Sequence, residues 1–72
     1  MERKSQDLGL VAGAKLKRLI KEAGMTQDGF AFDFGTDERN VRRWIAKGIY
    51  NLRTLQEIAD YFGTDVLDIL SH

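Results

Sequence analysis

The chain has no cysteine and no proline, and its single histidine, His72, is the last of its 72 residues. Without cysteine there is neither a disulfide framework nor a thiolate metal site, and one terminal histidine cannot anchor a cluster of metal ligands. Without proline, the breaks between periodic segments fall to glycines and capping residues, so the connections read as short turns. No apolar run approaches the roughly 20 residues that span a bilayer. The start, Met1-Glu2-Arg3-Lys4-Ser5-Gln6-Asp7, lacks the apolar segment of a signal peptide, and a soluble, unexported, cytoplasmic protein is expected. A Gly-rich phosphate loop with its lysine is missing too, and the carboxylates fall mostly at helix caps or toward the end of the chain, so nothing supports an enzyme, a cofactor or a metal.

What is present is enough for one small domain, close to the lower size at which a hydrophobic core alone holds a fold. Leu16, Leu19, Ile20 and Ala23 recur at helical spacing before Gly24, predicting a first helix from about Leu8 or Leu10 to Ala23. Thr26 offers a cap for a second helix carrying Phe30, Ala31 and Phe34 and stopped by Gly35. Asp37 caps a third, with Val41, Trp44 and Ile45 inward and Gly48 as its stop. Asn51 caps a fourth, in which Leu52, Leu55, Ile58, Ala59 and Phe62 form the core face before Gly63. Asp65 opens a short fifth with Val66, Ile69 and Leu70, and its spacing to Asp68 matches a capping box. The expected architecture is all-α: residues 1–7 as a flexible arm, in which Arg3 and Lys4 read as a frayed end rather than a groove-tracking extension, and 8–72 as one compact five-helix domain.

Eleven basic residues balance eleven acidic ones, and a neutral total argues at first against a polyanionic partner. The balance is not local, however. Lys15, Lys17, Arg18 and Lys21 form one acid-free run, and Arg39, Arg42, Arg43, Lys47 and Arg53 a second. From Thr54 to His72 there are four acids (Glu57, Asp60, Asp65, Asp68) and no lysine or arginine. The distribution predicts a molecule that is basic on one side and acidic on another.

In order and spacing, the basic first helix ending in Gly24, Gly24-Met25-Thr26-Gln27, Phe30-Ala31 with Phe34-Gly35, Val41 and Trp44, Leu55 through Ile58-Ala59, and Gly63-Thr64-Asp65 resemble the phage repressor and Cro (XRE) family of helix-turn-helix domains. The resemblance runs from Ala14 to Leu70. It implies a helix-turn-helix at helices 2 and 3, with the third helix in the major groove and the second across the backbone. By that resemblance Asp37, Glu38, Arg39, Asn40 and Arg43 fall at base-reading positions, with Asp37 and Glu38 more naturally read as cap and macrodipole partners. Gln27 matches a phosphate-binding glutamine at a helix N-terminus, and Arg42, Lys47 and Arg53 suit phosphate contacts that add affinity without sequence information. The function implied is a sequence-specific duplex-DNA-binding transcriptional regulator of bacterial or phage type, acting as a repressor and a homodimer.

Two positions depart from the family pattern. An arginine is common where Ile20 stands and a glutamate where Ile45 stands, forming an ion pair between the first and third helices. Replacing both partners by apolar side chains strands no charge, so Ile20 and Ile45 are expected to touch in the core. Gly48 also falls one residue late, which makes contacts from Gly48-Ile49-Tyr50-Asn51 the least transferable. Trp44 reads as core. Phe32, between two apolar positions, and Ile49 and Tyr50 in the turn are candidates for a dimer surface. The alternative function is a helix-turn-helix retained as a protein-interaction module, an antirepressor or regulatory subunit with little DNA affinity; neutral charge, the acids heading the third helix and Phe32 favour it. VRRWIAKG followed by Ile49 also resembles the recognition segment of the MerR and excisionase type, which the pattern after Asn51 disfavours.

Overall fold

A computed structural model describes residues 7–71, which form five helices and no strand. They are α1 (Leu8–Glu22), α2 (Gln27–Phe34), α3 (Glu38–Lys47), α4 (Leu52–Phe62) and α5 (Val66–Ile69). Each begins at an extended residue whose side chain takes up a backbone N–H left without a partner in the first turn. Thr26 accepts from Gly29 N, Asp37 from Asn40 N, Asn51 from Thr54 N and Asp65 from Asp68 N. Asp7 does the same for α1, accepting from Gly9 N and Leu10 N, so this residue, expected in the arm, is a helix cap. The remainder of the arm, with Arg3 and Lys4, lies outside the described residues. The capping box at α5 has only its forward half: the Asp68 carboxylate is taken up by Thr64 Oγ1 at 2.9 Å.

The core draws one large, fully buried side chain from each helix, Leu16, Phe30, Val41, Ile58 and Ile69, with Ala12, Ala31 and Ala59 buried beside them. Burying each large side chain contributes about 1.5–3 kcal/mol, so no helix is dispensable to the others. Phe30 also stacks on Phe34 and Phe62, with centroids 5.0 and 5.6 Å away, and meets Tyr61 edge-on. Phe34 in turn meets Trp44 edge-on at 6.0 Å, which ties α2 to α3. Trp44 is thus partly core, half-buried against the cluster.

α3 packs chiefly on α1 and then on α2. Gly13 permits this approach. A Cβ there would collide with the carbonyl oxygen of Trp44 and stand 3.1 Å from that of Ile45. Ile20 is buried, and Ile45, half-exposed rather than buried as expected, packs against the same apolar cluster. Leu52 departs from its expected core position: at the first turn of α4 it is 70 % exposed, and the inward face begins at Leu55.

The α3–α4 connection is fastened to the start of α1. Gly48 adopts φ +105°, reversing the chain, and Ile49 N then donates to Gly9 O at 3.0 Å. This path turns the Ile49 side chain inward, leaving it 2 % exposed. Ile49 is therefore core, and its candidacy for a dimer surface is withdrawn. Tyr50 remains outside, its ring lying over Gly9 and Gly48.

Candidate nucleic-acid interface

Successive α-helical residues turn by about 100°, and this divides α3 into two sides. Val41, Trp44 and Ile45 lie on the side facing the core. Arg39, Arg42, Arg43, Ala46 and Lys47 are all exposed on the other. The helix is held there by its Asp37 cap and by the turn before it. In that turn Gly35 takes a left-handed conformation (φ +99°), and Thr36 N donates to Ala31 O at 2.8 Å.

The candidate residues fall into separate hollows on the surface. One is lined by Asp37, Arg39, Asn40 and Arg43, which brings together most of the expected base-reading set. A second, lined by Arg43, Trp44, Lys47 and the loop from Gly48 to Asn51, joins two cations to two aromatic rings. Glu38, Arg42 and Arg53 line neither, although Arg42 and Arg53 are exposed and Glu38 is half-buried. A third hollow sits at the N-terminus of α2, where Gln27 meets Lys17 and Lys21 of α1. The two lysines were visible as part of a basic run, but their meeting with Gln27 depends on how α1 and α2 cross, which no local pattern reports.

Two side chains link α3 back to its own turn. Asn40 Nδ2 donates to Thr36 Oγ1 at 2.9 Å, and Arg43 Nη2 donates to Asn40 Oδ1. Among the described residues the ion pairs are Lys15 with Asp68, at 3.8 Å between α1 and α5, and the exposed helical pair Arg18–Glu22. Neither involves a cation of α3, so Arg39, Arg42, Arg43 and Lys47 are exposed without an ion-pair partner among the described residues, although the Asp37 carboxylate borders the hollow that Arg39 and Arg43 share.

Tyr50 OH donates to both carboxylate oxygens of Asp7, at 2.8 and 2.9 Å, and this hydrogen bond, with smaller contributions from desolvation and the Asp7 charge, raises its pKa above the usual tyrosine value. Tyr61 is raised in the same way by donating to Asp33 at 2.6 Å. Phe32 is 87 % exposed on α2, as expected for a residue out of register with the core. No group of three His, Cys, Asp or Glu among the described residues could hold a metal, and no described helix is long and apolar enough to cross a membrane.

Two short helices joined by a glycine turn, the second held by its apolar side and presenting exposed cations outward, define a helix-turn-helix of the DNA-binding class. The family comparison agrees: residues 15–72 match the Cro/C1-type HTH DNA-binding domain, and the chain belongs to that family. Comparison with curated proteins and with solved structures gave no match.

Proposed function

We propose that the protein is a sequence-specific regulator that binds duplex DNA as a homodimer, inserts α3 into the major groove and represses transcription by occupying an operator. The observation that carries this reading is the solvent side of α3, where Arg39, Arg42, Arg43 and Lys47 stand exposed with no acidic partner among the described residues. The base readers are drawn from the group Glu38, Arg39, Asn40 and Arg43, since an arginine fork can hold guanine O6 and N7 and a carboxylate can accept from cytosine N4. Gln27, Arg42, Lys47 and Arg53 are the phosphate contacts, and the hollow at Gln27 adds Lys17 and Lys21 to them. Phe32 and Tyr50 remain the dimer candidates.

Selection of bound sites from randomised duplex tests the proposal. A two-fold symmetric site should emerge, with half-sites about 10 bp apart so that both copies of α3 meet one side of the duplex. A single unrepeated half-site would contradict the homodimer, and no enrichment would contradict sequence-specific reading. The exposed Phe32 favours a second reading, a protein-interaction module with little DNA affinity. Retention of the chain on a phenylalanine-dependent protein partner, with no shift of duplex DNA at low salt, would establish it instead.

A further inference from the structure

The hydrogen bonds running from the turn through α3 separate two residues that the sequence pattern groups together. We infer that Asn40 is not itself a base reader but a positioning residue, tethered by Thr36, that holds the Arg43 guanidinium in place to read a guanine. The inference rests on the DNA reading above and deepens it.

The amide of Asn40 is used at both ends. Arginine can only donate, so the atom facing Arg43 must be Oδ1, and Nδ2 is thereby turned toward Thr36, whose hydroxyl accepts at 2.9 Å. The orientation of the amide is fixed by chemistry. The backbone of Asn40 is held as well, its N–H donating to the Asp37 cap at 2.8 Å. Bidentate recognition of adenine requires one amide edge offering both N–H and oxygen, and breaking both side-chain bonds to provide it forfeits the geometry that the turn enforces. Asn40 is also half-buried, whereas Arg43 is exposed.

Arg43 loses little by being held. A guanidinium has five N–H donors in a rigid fork, and Asn40 takes one. Free arginine side chains carry a large rotamer entropy that binding must remove, and a tether removes part of it beforehand. Arg43 also borders both α3 hollows, the one shared with Arg39 and the one shared with Lys47 and Tyr50, so a fixed guanidinium stands at the centre of the exposed side. Arg42, one residue earlier, has no side-chain hydrogen bond among the described residues and serves as the internal comparison. Thr36 is anchored by its own backbone bond to Ala31 O and does not depend on DNA to be in place.

Two experiments on the full chain test the relay. In the free protein, nitrogen relaxation of the arginine Nε groups should find Arg43 more ordered than Arg42. That order should fall in Asn40→Ala and in Thr36→Val, which keeps the shape and loses the acceptor, and should persist in Thr36→Ser. Equal mobility of Arg43 and Arg42 in the unaltered chain overturns the relay. In site selection, Arg43→Ala should abolish a guanine preference, and Asn40→Ala and Thr36→Val should weaken that same preference roughly 3- to 10-fold, the worth of one hydrogen bond. Preferences at other positions and affinity for random duplex should hold. Loss of a preference at a different position in Asn40→Ala overturns the inference by making Asn40 a reader. Failure of the unaltered chain to select any sequence overturns the DNA reading and the assignment of Asn40 with it, whereas a selected sequence with a mobile Arg43 overturns the relay alone.

Discussion

Ile49 and Tyr50 are neighbours with opposite roles, and the difference lies in one backbone hydrogen bond. Ile49 N is bound to Gly9 O, which commits its side chain to the core, while Tyr50 is left 67 % exposed with its hydroxyl on Asp7. Ile49→Ala should cost about 2–5 kcal/mol as a buried large-to-small change, whereas Phe32→Ser should stay within about 0.5 kcal/mol; urea unfolding measures both. Equal effects would return Ile49 to the surface. Both tyrosines of the chain donate to a carboxylate, so their phenolate absorbance should rise at a higher pH in the folded protein than after unfolding, where the ordinary value near 10 returns. Because each folded pKa is raised, the stabilisation is present below the unfolded value and is lost as pH climbs through the folded one. Either tyrosine titrating at its ordinary value would contradict its hydrogen bond. The exposure of Phe32 was legible in the sequence, but the division between Ile49 and Tyr50 was not, since they read as two turn residues and Asp7 as the end of a frayed arm. Burial of a loop residue depends on where the loop is fastened, and here the fastening point is 40 positions away in sequence, at Gly9.

The helices themselves were readable because their signals are local. Thr26, Asp37, Asn51 and Asp65 all cap the helices they were expected to cap, and Gly35, Gly48 and Gly63 end the first three of these at positive φ. The expected α1 differs from Leu8–Glu22 by a residue at its end. Leu52 was misread because apolar spacing gives a stripe without saying which residue lies at its edge. At the scale of α3, the Asp37 cap works in two directions. It satisfies Asn40 N, yet it places a negative charge beside the hollow shared by Arg39 and Arg43. Asp37→Ala should therefore lower stability by about 0.5–2 kcal/mol while strengthening attachment to random duplex. Thermal unfolding and a titration with labelled DNA report the two effects separately, and weaker attachment with the fold intact would show that the acid is not near phosphate.

Across the whole molecule, a neutral net charge conceals an uneven surface. The acids Glu57, Asp60, Asp65 and Asp68 are exposed on α4 and around α5, and among the described residues only Asp68 of these is paired with a lysine, on α1. The exposed cations of α3, with Lys17 and Lys21 beside Gln27, are left to meet a polyanion. The two basic runs were legible as runs; that Lys17 and Lys21 stand beside Gln27 was not, because it follows from the crossing of helices. Lys17, Lys21, Arg42, Lys47 and Arg53 are the phosphate-facing charges in this account, and each phosphate neutralised releases condensed counterions from the duplex. The most direct test is the affinity of the intact chain for random duplex DNA across a series of salt concentrations. Measurable binding at low salt is expected, with a log–log slope of about −3 to −5 per protomer, at about 0.9 per phosphate contact. No binding at low salt, or binding that ignores salt, would contradict it.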